Sequence, residues 1–386
     1  MIYQKNNNSA IIWLCLAHLV NDIYTGALNP LLPFIATKLG FTLGLATILV
    51  GITQICSNLF QPIFGFFADN ILKRFFIFWG LILSSLFIPL APSAPNVFLL
   101  TLFMVLGSLG SSFFHPQAIG FINSFSKSNC SRNMGIFVGM GSLGFALGPL
   151  LTAYIAQVLG LEKICITGLL GIILALFMFL FVPKLSCSSE RIEKKEFLKS
   201  FKEIFSNLQI NYLMIISMMK SLVTNSSCIL LPFLWQSMGY SPFYIGLALF
   251  LFIFAGAIGS LISPYLEKAL SSKLIILVSM WLPLPLMLAF SLVYKTQAAL
   301  SLILFAFIGF ITMLAQPVTL VMAQKTLPKY KSIVAGLING FCWGIVALCL
   351  SFLGIVAQKY GIINVLVILT ILPIFASWIV LKLKES

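Results

Sequence analysis

The chain has 386 residues, of which 60% are hydrophobic and 8% charged. Soluble domains carry roughly a quarter charged residues, so this chain has too few polar groups to cover a water-facing surface. A soluble enzyme, a nucleic-acid-binding protein and a disordered chain are excluded, and the net charge of +14 calls for an explanation other than nucleic acid.

Apolar runs of about 20 residues can cross the hydrocarbon layer as helices. In chain order the predicted spans are 11–35, 43–68, 75–90, 97–121, 134–159 and 164–182, then, after a polar gap, 210–235, 243–266, 274–293, 298–323, 333–357 and 362–381. They are too long for barrel strands and lack alternation. The expectation is an all-α polytopic membrane protein with twelve transmembrane helices. The first run is too long for a signal-peptide core and reads as an uncleaved span. The eighth span, nearly free of polar groups, is expected to pack on the outside. The eight cysteines are scattered, without CxxC or ligand spacing, so no disulfide framework, metal site or cofactor is expected.

Charge placement sets topology. With both termini cytoplasmic, eighteen of the 23 Lys and Arg fall on inside segments and four (Lys38, Lys163, Lys295, Lys359) on outside loops. That is the positive-inside bias, and it accounts for the basic excess. Lys220 falls within a span.

The chain also repeats itself. Leu31-Leu32-Pro33-Phe34 recurs as Leu230-Leu231-Pro232-Phe233, and Gly40 as Gly239, at an offset of 199. Pro116, Gly135 and Gly139 match Pro317, Gly336 and Gly340 at 201. The expected organisation is two parallel six-helix halves, 1–182 and 210–386, joined by a cytoplasmic linker, 183–209. Such halves leave a central cavity and rock about it to alternate access. In the linker, Phe197, Phe201, Ile204, Phe205 and Leu208 recur at helical spacing, which predicts an interfacial amphipathic helix.

Ionisable groups inside spans are costly, about 2.5–3.5 kcal/mol on insertion scales. Asp22 is such a group. His18 stands one turn before it, and Asn29 is expected to share their face. Asn21 adjoins Asp22. In the fourth span Ser108, Ser112 and His115 share a face. His18, Asp22 and His115 could bind and release a proton as water access alternates, and a structural hydrogen bond is the alternative for each. Lys220 sits near mid-depth of the seventh span, at a depth near-equivalent to Asp22 in the other half. It is expected to attract an anionic substrate or to pair with Asp22, with snorkelling as the alternative. Gln54 and Asn58, Thr224 beside Lys220, Gln316 and Asn339 are expected to line a wet cavity, although polar side chains also join helices.

After the second span comes Gly65-Phe66-Phe67-Ala68-Asp69-Asn70-Ile71-Leu72-Lys73-Arg74. It resembles the cytoplasmic loop motif of the major facilitator superfamily, G-x-L-A-D-R-x-G-R-K, with Leu72 and Asn70 as departures. The resemblance implies a cytoplasmic gate built on Gly65, Asp69, Lys73 and Arg74. The fifth span carries Gly135, Gly144, Gly148 and Pro149, which resembles the antiporter motif G-x8-G-x3-G-P-x2-G-G up to its closing glycine pair. Close helix packing alone also asks for such residues. His18-Leu19-Val20-Asn21-Asp22, Asn29-Pro30-Leu31-Leu32-Pro33 and Phe114-His115-Pro116-Gln117-Ala118 resemble the fosmidomycin-resistance-type branch, in which Gln117 replaces a Glu. The resemblance implies a bacterial-type inner-membrane transporter, a monomer acting on a small-molecule substrate and protons in a lipid bilayer. Its expected function is proton-coupled export of a small amphiphilic or anionic compound. An importer or facilitator on the same fold, or a membrane-embedded enzyme using Asp22, His18 and His115, are the alternatives.

Overall fold

The computed structural model describes residues 2–61, 63–64, 75–126, 130–183 and 201–384. Among them every regular element is helical. In chain order they are α1 (Ile2–Ala27), α2 (Leu32–Leu39), α3 (Leu43–Asn58), α4 (Phe75–Leu90), α5 (Val97–Ser126), α6 (Cys130–Leu159) and α7 (Gly168–Phe181). Then follow α8 (Leu208–Ser237), α9 (Pro242–Leu266), α10 (Ser272–Trp281), α11 (Pro283–Val293) and α12 (Ala298–Thr326). The last are α13 (Lys331–Gly336), a π-helical turn (Leu337–Phe341), α14 (Cys342–Tyr360), α15 (Ile362–Ala376) and α16 (Trp378–Leu381). Among the described residues, eleven helical stretches are long and apolar enough to cross a membrane, and Leu43–Asn58 is a shorter apolar helix.

Prolines explain where predicted spans divide. The first was read as one helix, but α1 ends at Ala27 and turns through Leu28–Leu31 before α2. Pro30 and Pro33 lack the N–H that an uninterrupted helix needs. Asn29 therefore lies in the turn, half-buried, and does not continue the face of His18 and Asp22. The ninth span divides at Leu282, ahead of Pro283 and Pro285.

Two compact units form. The first comprises Met1–Thr42, Ile52–Arg191 and Trp235–Phe250, and the second Leu43–Gly51, Ile192–Leu234 and Leu251–Ser386. Helices α3 and α9 thus each contribute to both. In the first unit α6 lies along α1, and α4, α5 and α7 also pack on α1. Tyr24, Leu81, Phe114 and Phe137 are fully enclosed there. The start of α9 belongs to this core as well: Ile245, Ala248 and Leu249 are buried. The expectation that this span packs outside is corrected, because an apolar helix end can face protein as readily as lipid. A Cβ at Gly246 would stand 2.3 Å from Ala153 Cβ, which shows how closely α9 and α6 approach.

In the second unit Ile210, Leu213, Ile276, Met280, Val334, Ile338 and Cys342 form the core. Residues 201–206 are helical, with Ile204 fully buried in that core and Phe201 packed against it. This part of the amphipathic stretch therefore packs on protein. Gly44 and Gly51 of α3 meet Ile355 and Ser351 of α14, while Gly354 meets Thr47. The first part of α3 is held by small residues on both sides.

Candidate functional site

The site is built on α1 within the first unit. One helical turn separates His18 from Asp22, so both project from one face. His18 Nε2 lies 3.2 Å from Asp22 Oδ2. Helix α5 brings His115 to the other carboxylate oxygen, with Nε2 3.2 Å from Oδ1. The His18 and His115 rings meet edge-on with centroids 5.0 Å apart. The Asp22 side chain is 14% exposed and that of His115 20%, so the cluster is largely but not wholly shielded.

The surrounding shell fixes each ring. His18 Nδ1 is 2.8 Å from the Phe137 carbonyl oxygen, and the Phe137 ring stacks on His18 at 3.9 Å. Gly141, one turn further along α6, leaves room for the imidazole. A Cβ there would stand 2.4 Å from His18 Cε1. His115 Nδ1 is 2.9 Å from the Ser111 carbonyl oxygen and 3.2 Å from Ser111 Oγ. Asn21 is fully buried. Its Nδ2 donates to Asp22 Oδ1 at 3.0 Å and to Ser111 Oγ at 3.3 Å, while its Oδ1 has no partner. Asn21 therefore belongs to the carboxylate's immediate shell. No motif pointed to Phe137 or Gly141: the first acts through a backbone carbonyl and the second through a missing side chain.

No metal was expected from spacing, yet the fold gathers one ligand-type atom each from His18, Asp22 and His115 within 4.8 Å. The 3.2 Å separations of Nε2 from oxygen are those of hydrogen-bonded groups, so proton-mediated contacts account for the geometry without an ion.

Other predicted residues divide. Ser112 is fully buried, and its hydroxyl lies 2.7 Å from the Cys56 carbonyl oxygen and 2.8 Å from that of Ser57; it ties α5 to α3. Ser108 is buried on the same helix. Asn58 Nδ2 donates to the Gln54 carbonyl, and Gln54 Oε1 is buried without a partner. Gln117 accepts from the Ile77 N–H at 2.8 Å. It thus satisfies one of the free donors at the start of α4, which an amide oxygen does as well as a carboxylate.

Gly144 and Gly148 face α1, where an added Cβ would stand 2.1 Å from Leu19 O and 2.3 Å from Ile23 O. Pro149 Cδ would stand 3.1 Å from a Cβ at Gly26. Gly135 has open space on its Cβ side. Gly65, Asp69, Lys73 and Arg74 lie outside the described residues.

In the second unit Lys220 is 5% exposed on α8, and Thr224 Oγ1 donates to its carbonyl at 3.1 Å. Among the described residues no carboxylate pairs with Lys220. Gln316 Nε2 reaches Asn339 Oδ1 at 3.4 Å, so α12 and the π-helical turn, separate in the sequence, meet there. A π-turn in an α-helix frequently marks a functional position.

A two-unit helical membrane fold with a buried carboxylate and two histidines in one unit is the build of a transporter. The Major Facilitator Superfamily profile matches residues 14–350, and the chain belongs to that family as a membrane transporter, not an enzyme. It is 27% identical over 368 residues to the fosmidomycin resistance protein of Escherichia coli K12, covering 94% of this chain and 89% of that protein. It is 28% identical over 167 residues to the quinolone resistance protein NorA of Staphylococcus aureus, which is 42% of this chain and 43% of NorA. Among solved structures it superposes on the nucleoside transporter NupG with a TM-score of 0.77 at 14% identity, over 97% of this chain and 99% of that one. A bacterial homologue of the lysosomal transporter Spinster, inward-facing and unoccupied, gives 0.75 at 16% identity, over 99% of both chains. These two establish the fold alone.

Proposed function

We propose that the protein is a proton-coupled antiporter that exports a small amphiphilic or anionic compound across the bacterial inner membrane by alternating access. The observation that carries this reading is the His18–Asp22–His115 cluster. Ionisable groups inside spans are costly and mark proton relays, and this cluster sits in a socket of fixed orientation. Imidazole and carboxylate groups exchange protons readily near physiological pH when placed together. Efflux-type relatives favour the outward direction, and the Gly135–Pro149 run resembles the antiporter pattern up to its closing glycine pair.

Lys220, buried and without a carboxylate partner among the described residues, is assigned the attraction of an anionic substrate, with Thr224, Gln316 and Asn339 as further polar contacts in the second unit. Gln54, Asn58 and the turn residue Asn29 are the corresponding candidates elsewhere, and Ser112 is reassigned to joining helices. Asp69, Lys73 and Arg74, with Gly65 at the turn, are assigned to a cytoplasmic gate. The protein acts as a monomer with both termini cytoplasmic, joined at 183–209 by a cytoplasmic linker.

A growth-inhibition panel in an efflux-deficient bacterium tests the reading, at matched membrane expression of wild type, Asp22→Asn and Lys220→Gln. Fosmidomycin, other phosphonates, lipophilic cations and detergents serve as probes. Wild type should protect against at least one probe class, and Asp22→Asn should abolish the protection. Lys220→Gln should lower protection against anions more than against cations. Protection that survives Asp22→Asn removes the coupling site. No protection against any probe favours import or a dedicated metabolite.

A further inference from the structure

The two histidines of the chain both stand in the Asp22 cluster, and hydrogen-bond accounting on their rings counts the protons held there. His18 Nδ1 faces the Phe137 carbonyl oxygen at 2.8 Å, and His115 Nδ1 faces the Ser111 carbonyl oxygen at 2.9 Å. A carbonyl oxygen only accepts, so each Nδ1 carries a hydrogen. Ser111 Oγ is the longer contact to His115 Nδ1, at 3.2 Å, and it already accepts from Asn21 Nδ2. With Nδ1 protonated, a neutral ring presents a bare lone pair at Nε2. Each Nε2 faces its own oxygen of Asp22 at 3.2 Å, and an ionised carboxylate only accepts. Each contact therefore needs a hydrogen of its own. Two imidazolium rings supply both. A protonated carboxyl supplies one, and the second ring must then be imidazolium. The count is the same in every arrangement: two protons beyond a carboxylate and two neutral rings.

We infer that His18, Asp22 and His115 form a two-proton unit, loaded in this conformation. Its use in export rests on the function proposed above; its proton count does not. Loss of one proton leaves one bare Nε2 facing a carboxylate oxygen and one imidazolium still paired with the other, so the two protons leave in two coupled steps. On release both hydrogens pass to water, leaving two neutral rings and a carboxylate. Emptied in full, the cluster changes from a net +1 to −1, a release of two protons. Asn21 Nδ2 donates to Asp22 Oδ1 and keeps that oxygen partnered in the emptied state.

Few other groups share the neighbourhood. Of the helices packed on α1, α4 and α7 carry no ionisable side chain and α5 carries only His115. Helix α6 carries Cys130 and Arg132 at its start and the exposed Tyr154 towards its end. Cys56 lies on α3, beside Ser112. On α1 itself are Tyr3 and Lys5 near its start, Cys15, and Tyr24, whose hydroxyl is bonded to Thr167 O and Gly171 N.

The composition makes a direct test practical. The full-length protein in lipid nanodiscs is labelled with 15N-histidine and with 13C-carboxyl aspartate, of which the chain has only Asp22 and Asp69. His18→Gln, His115→Gln and Asp22→Asn serve only to assign signals. At neutral pH the wild type should show a hydrogen on each Nδ1 and two further hydrogens among the Nε2 atoms and the Asp22 carboxyl. Raising the pH should remove both of these further hydrogens and leave each Nδ1 hydrogen in place. A ring with bare Nδ1, or a total of one, overturns the inference. So does a stoichiometric transition metal in the purified protein with both Nε2 atoms unprotonated. Since no substrate is needed, a two-proton result beside a failed growth panel removes the export reading alone. The converse leaves export with a different proton count.

Discussion

A missing methyl group at Gly141 lets His18 sit against α6. An added Cβ would press on Cε1, Nε2 and Nδ1 at 2.4–2.8 Å, and the ring, stacked on Phe137 and bonded to its carbonyl, has no slack. Overpacking of this kind costs about 1–3 kcal/mol. Gly141→Ala should therefore lower the melting temperature in detergent and, because it tilts Nε2 away from Asp22, also abolish drug protection at normal membrane expression. Unchanged protection would mean that the ring's exact seat is unimportant. At this scale the sequence was legible where chemistry is written in side chains. Asp22 and His18 stand out as charges one turn apart inside an apolar run, and His115 as an imidazole in another. The Phe137 and Ser111 carbonyls that orient the rings were not legible, because every residue has a carbonyl and only the fold says which one is aimed. Gln117 illustrates the reverse. Against the resembling branch it leaves one carboxylate fewer near the site, and in place it accepts the Ile77 N–H.

The elements inherit their approach distances from small residues, and one sequence pattern can contain both packing and non-packing members. Gly144 and Gly148 stand where a Cβ would strike the backbone of α1, whereas Gly135, in the same pattern, meets nothing. Backbone cannot yield as a flexible side chain can, so Gly144→Ala should cost about 1–3 kcal/mol and separate α1 from α6 at the cluster. Gly135→Ala should be within about 0.5 kcal/mol of wild type. Melting curves of the two variants in one detergent check this contrast; equal losses would show that the glycine pattern acts through something other than the α1–α6 contact. Helix existence was legible from hydropathy alone. Helix breaks were not read from the sequence: Pro30, Pro33, Pro283 and Pro285 stand at the breaks, but Pro89, Pro116, Pro149, Pro232, Pro264, Pro317 and Pro373 lie inside helices. Packing against neighbours decides between a kink and a break, and that information is not local.

On the scale of the whole molecule, backbone geometry strengthens the repeat read from the sequence. The positive-φ glycines fall into two pairs: Gly40 and Gly239 at 70° and 82°, and Gly160 and Gly361 at 91° and 89°. The pairs are separated by 199 and 201 residues, the offsets found in the motifs. Each pair ends a helix at the same point of its half, in a conformation that residues with a Cβ rarely adopt. A parallel repeat sends both halves into the membrane from one side, so the sidedness of any one loop fixes all the others. From the lysine and arginine bias, the expected topology has Gly40, Gly160, Gly239 and Gly361 in outside loops and both termini inside. Green fluorescent protein fused after Ser386 should fluoresce, and alkaline phosphatase fused after Gly160 or Gly361 should be active, since the first matures in the cytoplasm and the second only outside it. An active phosphatase after Ser386 would invert every loop at once. It would also move the outer ends of α1 and α6 to the cytoplasm, and the proton step at Asp22 would then need the opposite sequence of water access.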